Sequence, residues 1–277
     1  MQKILFFFFL ILNIYSLPVV IIHGFYDSCS NPFFTTLVKL LKYNVQDYVT
    51  CLKSGEGSDS LYISFEKQCE NACNEINKYN DKSKFDNDFS ILALSQGGLI
   101  ARYITQKCKM KGRVKNIVSF GGPMMGTSQL PYCLGGVSCY IINSLVDNFV
   151  YSKRYQKNIG PAGYYRTAAH PDRFKNSRSF LAELNKYNET EKERFMALDN
   201  LILIGFENDK MISPKESAEF GIFDEHFNVK KMKEIDEYTT IGLKELDENN
   251  KIKIFYLEGE HLDFEYEDVL KYAVPYL

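Results

Sequence analysis

The chain has 277 residues, 45% of them hydrophobic and 25% charged, with 33 basic against 35 acidic side chains. Length and composition fit one compact domain with a substantial core. A net charge of −2 offers no clustered basic face, which argues against nucleic acid as a partner.

Met1-Gln2-Lys3 carries the one charge of the N-terminal segment, Ile4 to Leu12 is an unbroken apolar run, and Ser16 closes a polar stretch. That is the layout of a secretory signal peptide spanning residues 1–16. The apolar run is nine residues long, whereas a bilayer span needs about 20. Export makes disulfides the expected state for most of the seven cysteines, with one thiol left over. Cys69 and Cys73 have no second Cys/His pair at ligand spacing, so no zinc site is expected. Asn188-Glu189-Thr190 is a glycosylation sequon in a polar stretch.

No repeat or linker divides residues 17–277, which read as one domain. Val19 to Ile22 has the β-branched pattern of a buried parallel strand. Asn31-Pro32 caps a helix from about Phe33 to Lys42. A strand over Asp47 to Leu52 and an amphipathic helix over Glu66 to Tyr79 follow. Phe89 to Leu94 is a buried strand, Gly97 to Met110 the helix leaving it, and Val114 to Phe120 another strand. Leu201 to Phe206 and Ile252 to Leu257 are further strands, and a last helix covers Asp263 to Tyr272. This alternation predicts a mostly parallel central sheet with helices on both faces. It lapses between about 122 and 200, a stretch that reads as a cap or acyl-binding insertion over the carboxyl ends of the strands.

Ala93-Leu94-Ser95-Gln96-Gly97 joins a buried strand to a helix. Small residues two before and two after a serine are what a nucleophile elbow needs, because neighbouring backbone crowds its strained turn. Ala93 stands where glycine is usual. His23-Gly24-Phe25 follows the first strand, the position of the oxyanion loop in the α/β-hydrolase fold, so the N–H groups of Phe25 and Gln96 are the expected donors. His23 reads more simply as a residue that orients this loop. In this fold the acid and then the histidine follow the serine. His261 follows the last strand through Glu258-Gly259-Glu260, and Glu207 and Asp209 both follow the strand before it. Asp209 lies further into the turn and is the preferred acid; His170 and His226 lie away from strand ends.

The blocks His23 to Pro32, Ser95 to Gly98, Gly121 to Gly126, Leu130 to Cys133, Phe206 to Asp209, Ile241 to Asp247 and Glu258 to Leu262 occur in one order along the chain. In this they resemble the palmitoyl-protein thioesterases, lysosomal α/β-hydrolases, over essentially all of the mature chain. The resemblance implies a Ser95–His261–Asp209 triad, oxyanion donors at Phe25 and Gln96, and disulfides Cys73–Cys108 and Cys133–Cys139. Beyond what it implies, Cys51 is expected to pair with Cys69, leaving Cys29 free.

The expected reaction is hydrolysis of a long-chain acyl thioester on a protein or peptide cysteine through an acyl-serine intermediate, without metal or cofactor. Met124, Met125, Leu145, Phe149 and Val150 are candidates for an acyl groove, although the same apolar pattern serves equally as core. The expected partners are S-acylated proteins or peptides, with transient contact to a lipid surface left open, in a lysosomal or secreted setting. The triad alone does not separate a thioesterase from a lipid carboxylester hydrolase. A non-catalytic acyl-binding protein that has kept the fold is a further alternative, against which the presence of all three triad residues argues.

Overall fold

A computed structural model describes residues 16–80, 84–132 and 137–277. The expected signal peptide, apart from Ser16, lies outside them. Val19–Ile22 (β1) is fully buried along its length. Asn31 accepts a hydrogen bond from the Phe33 N–H at 3.0 Å and caps Pro32–Val45 (α1). That helix buries Phe34, Leu37, Leu41 and Val45 as one stripe. Val49–Leu52 (β2), Asp59–Tyr62 (α2), Phe65–Asn80 (α3), Phe89–Leu94 (β3), Gly97–Lys107 (α4) and Val114–Phe120 (β4) follow.

Between β4 and the next strand lies a run of short helices, Val137–Phe149 (α5), Lys153–Asn158 (α6), Pro171–Lys175 (α7), Phe180–Leu184 (α8) and Glu189–Met196 (α9). Asn200–Phe206 (β5) resumes the sheet. Ile222–Phe223 (β6) and Val229–Lys230 (β7) form a small antiparallel pair, and Glu237–Thr240 (α10) and Leu243–Glu248 (α11) lead to Ile252–Leu257 (β8) and Tyr266–Tyr272 (α12).

The main sheet has the order β2-β1-β3-β4-β5-β8, and every neighbouring pair is parallel. Alternate residues feed two cores. Val20, Ile22, Ile91 and Ala93 pack with α3 and α4, while Val19, Ile21, Leu92 and Leu94 pack with α1 and α12. From β1 the chain moves one way to β2 and the other way to β3. The loops leaving β1 and β3 therefore diverge at a topological switch point, where open α/β sheets bind ligands.

Three boundaries differ from expectation. The helix α4 stops at Lys107 because Cys108 turns extended, and the strand β2 starts at Val49. The last helix waits until Tyr266, where Glu265 and Asp268 form a capping box. The pair β6–β7 has two-residue strands, too short to leave a period in the sequence.

Among the described residues, disulfides join Cys29 to Cys51 and Cys73 to Cys108. The second is the expected bridge between α3 and the end of α4. The expected Cys51–Cys69 pair does not form, and Cys69 rather than Cys29 keeps its thiol. The strand period explains this: Cys51 packs on the α1 side of the sheet, whereas Cys69 is buried on the α3 side. Burial pushes the Cys69 thiol well above its ordinary pKa, which makes it inert. Cys139 is disulfide-bonded; Cys133, its expected partner, lies outside the described residues. Replacing Cys73 and Cys108 by serine should cost about 3–4 kcal/mol, because their bond closes a 35-residue separation. Thermal unfolding should then fall by roughly 10 °C, and an unchanged midpoint would show that this bond contributes little.

Candidate active site

Ser95 sits at the end of β3 with φ at +50°, a left-handed backbone that costs a non-glycine residue energy. Its own N–H donates to the Phe120 carbonyl at 2.8 Å, and its carbonyl accepts from the Gly98 N–H at 2.8 Å. The turn has no room for larger neighbours. A Cβ at Gly97 would lie 2.6 Å from the Ile22 carbonyl oxygen and 2.8 Å from that of His23. Ala93 is fully buried between the strands. These contacts lift the Ser95 side chain off the sheet toward the strand ends.

Ser95 Oγ lies 2.8 Å from His261 Nε2, and His261 Nδ1 lies 2.6 Å from Asp209 Oδ2. The other Asp209 oxygen, Oδ1, accepts from the N–H groups of Met211 and Ile212 at 2.8 and 3.0 Å. This fixes the carboxylate before it meets the imidazole. Gly121, at φ +58°, leaves the space the ring occupies, since a Cβ there would stand 3.0 Å from His261 Cε1. Glu207 is the alternative acid on sequence grounds, but it is exposed and ion-paired with Lys215 at 3.0 Å. His170 and His226 are exposed.

The loop after β1 packs directly on the serine: a Cβ at Gly24 would lie 3.2 Å from Ser95 Cβ and 3.9 Å from its Oγ. Among the described residues the N–H groups of Phe25 and Gln96 donate to no protein acceptor, so both remain free for a ligand. His23 is buried, with Nδ1 3.0 Å from the Gly24 carbonyl oxygen, and it does not join the serine. The ligating atoms of His23, Cys29 and Glu56 also lie within 4.8 Å of one another, but the Cys29 sulfur is committed to its disulfide.

A buried polar chain braces Gln96, a feature the motif reading does not contain. Tyr164 donates to Gln96 Oε1 at 3.0 Å, Gln96 Nε2 donates to Gln68 Oε1 at 2.9 Å, and Gln68 Nε2 donates to the Ser60 and Ile63 carbonyls. Burial pushes the Tyr164 hydroxyl far above its ordinary pKa, so it stays a donor. The sequence does carry a signal for Gln68, a polar residue beside the apolar stripe of Phe65, Cys69, Ala72 and Ile76. Tyr164→Phe should lower kcat about tenfold by leaving the buried Gln96 oxygen unpaired. Steady-state kinetics would read this, and an unchanged kcat would mean that Gln96 is held without it.

Ser95 opens into a cavity of about 480 Å³, within the range of about 300–1,000 Å³ typical of ligand pockets. Its walls are largely apolar and come from the β4–β5 insertion, with Phe25 and Leu61 on one side and Met211 and Ile212 beside Asp209. Of the candidate acyl-groove residues, Leu145, Phe149 and Val150 line it. Met124 and Met125 do not, because both are buried in the core beneath it. The N–H groups of these two residues are tied to Ser217, and Arg102 donates to the Met124 carbonyl at 2.9 Å.

The family model for palmitoyl protein thioesterase matches residues 18–261. The chain belongs to that family. It is 31% identical to palmitoyl-protein thioesterase 1 of Caenorhabditis elegans, over 88% of this chain and 86% of that one. It is 26% identical to lysosomal thioesterase PPT2-B of Xenopus laevis, over 87% of this chain and 85% of the relative. Among solved structures, a carboxyl esterase from the fungus Tuber melanosporum superposes with a TM-score of 0.51 at 11% identity, over 90% of this chain and 70% of that one. That likeness shows the α/β-hydrolase fold, shared here by a thioesterase family.

Proposed function

We propose that this chain hydrolyses long-chain acyl thioesters on protein or peptide cysteines, with Ser95 as nucleophile, His261 as base and Asp209 as its orienting acid. One observation carries the reading: a hydrogen-bonded serine, histidine and aspartate open into an apolar cavity of about 480 Å³. The family membership supports the thioester as the bond attacked.

His261 takes the proton from Ser95 as Oγ adds to the thioester carbonyl. Asp209 keeps the proton of the neutral imidazole on Nδ1 and stabilises the imidazolium. The Phe25 and Gln96 N–H groups receive the developing oxyanion. A cysteine thiolate then leaves, needing little acid assistance because its conjugate acid has a pKa of about 8.5. Water, activated by His261, hydrolyses the acyl-Ser95 ester and restores the enzyme.

Residues 17–277 act as one catalytic domain whose insertion at about 122–200 serves as the acyl-binding cap. The chain works on the secretory route, in a lysosomal or secreted setting, which its disulfides and its lysosomal relative support. Asn188 is exposed, and its Oδ1 caps α9 by accepting from the Glu191 N–H at 3.2 Å, which leaves Nδ2 for a glycan.

The test is a palmitoyl thioester assayed beside a matched oxygen ester. Preferential thioester cleavage is expected. A strong oxygen-ester preference would make the chain a lipid esterase, and binding without turnover would make it an acyl carrier. Filling the cavity should also shorten the acyl chain accepted. Ala162→Phe, on the cavity wall, should lower kcat/KM for palmitoyl over hexanoyl substrates by about fourfold per excluded methylene. An unchanged ratio would move the acyl site elsewhere.

A further inference from the structure

The helix α5 holds an apolar surface that nothing among the described residues covers. Ile141, Ile142, Leu145 and Phe149 are between 45% and 55% exposed. Their spacing gathers them on one side of the helix, and a contiguous exposed apolar patch marks an interaction site. Leu145 and Phe149 also line the cavity that reaches Ser95, so the patch is continuous with the cavity mouth.

The adjoining helix α6 adds charge. Lys153, Arg154 and Lys157 are exposed and have no carboxylate partner among the described residues. Tyr155, between them in sequence, lines the cavity as well. The only acid of the two helices, Asp147, is half-buried, which raises its pKa. The pair thus carries a local excess of two positive charges in a chain whose net charge is −2. Exposed apolar side chains beside unpaired cations fit one kind of partner, a membrane surface with anionic headgroups over acyl chains.

We propose that α5 and α6 seat the mouth of the cavity on an anionic lipid surface, so that an acyl chain moves from the lipid phase to Ser95 without crossing water. The destination of that chain rests on the thioesterase reading; the docking surface does not. Each methylene drawn into water disfavours transfer about fourfold, so a long acyl chain gains greatly from a direct passage.

Co-sedimentation of the full chain with vesicles of phosphatidylcholine, with or without a third of phosphatidylserine, tests this. The wild type should bind the anionic vesicles. A Lys153→Gln, Arg154→Gln, Lys157→Gln variant should lose about 100-fold in partitioning, at about fivefold per cation. Ile141→Ser with Ile142→Ser should lose about tenfold or more. Both variants should keep the wild-type rate on a water-soluble short-chain thioester, which also shows that they are folded. Equal wild-type binding to neutral and anionic vesicles, or undiminished binding by the triple variant, would overturn the proposal. Anionic binding by a chain that hydrolyses no thioester would uphold the docking surface and overturn the enzymatic reading.

Discussion

Ser95→Ala is expected to lower acyl-thioester turnover by about 10⁶-fold, the scale seen when a triad nucleophile is removed, with the fold intact. The backbone bonds that hold the elbow, from the Ser95 N–H to Phe120 and from Gly98 to the Ser95 carbonyl, do not involve Oγ. Alanine at φ +50° bears much the same strain as serine. What vanishes is the oxygen 2.8 Å from His261 Nε2. Labelling with a fluorophosphonate reads the same atom: the wild type should react and the variant should not. Equal labelling of both would remove Ser95 from the mechanism.

Asp209→Asn should lower kcat by about 10⁴-fold, and the hydrogen bonds explain why so conservative a change matters. Asp209 Oδ1 is held by the Met211 and Ile212 N–H groups, so the asparagine oxygen stays there and its amide NH₂ turns toward His261. That amide donates to Nδ1, which drives the ring proton to Nε2. The imidazole then cannot accept the proton of Ser95. Glu207→Gln, by contrast, should leave the rate within about twofold, because that carboxylate is exposed and paired with Lys215. A near-normal rate for Asp209→Asn with a large loss for Glu207→Gln would exchange the two roles.

Much of this site is legible before any coordinates, for identifiable reasons. The buried strands Val19–Ile22, Phe89–Leu94 and Val114–Phe120 are short β-branched or apolar runs bounded by turn signals, and each has the expected limits. Gly97 is readable because the strained elbow turn leaves room for little else there, and its surroundings show that crowding. Ser95 and His261 follow strand ends, so placing the strands places them. Family likeness adds the substrate class, which hydrogen-bond geometry alone does not supply.

What sequence leaves open are matters of side and depth. Cys51 and Cys69 are close in the chain but face opposite sides of the sheet, and only the strand's phase and the helix's position reveal it. Met124 and Met125 carry the same apolar signature as Leu145 and Phe149. Hydrogen bonds to Ser217, ninety-odd residues away, draw the methionine segment into the core, while α5 remains at the surface. The bracing of Gln96 by Tyr164 joins residues 68 apart in sequence, a contact with no local pattern to announce it.

In the proposed reaction the acyl group passes through Ser95. A thiolate leaves readily, whereas the resulting oxygen ester has a poorer leaving group, so acyl-enzyme should build up during turnover. Quenching the reaction with a palmitoyl thioester and mapping the modified peptide by mass spectrometry tests this most directly. A palmitoyl ester is expected on the peptide that contains Ser95 and is absent from Ser95→Ala; an acyl adduct on any other residue, retained in that variant, would remove Ser95 from the mechanism.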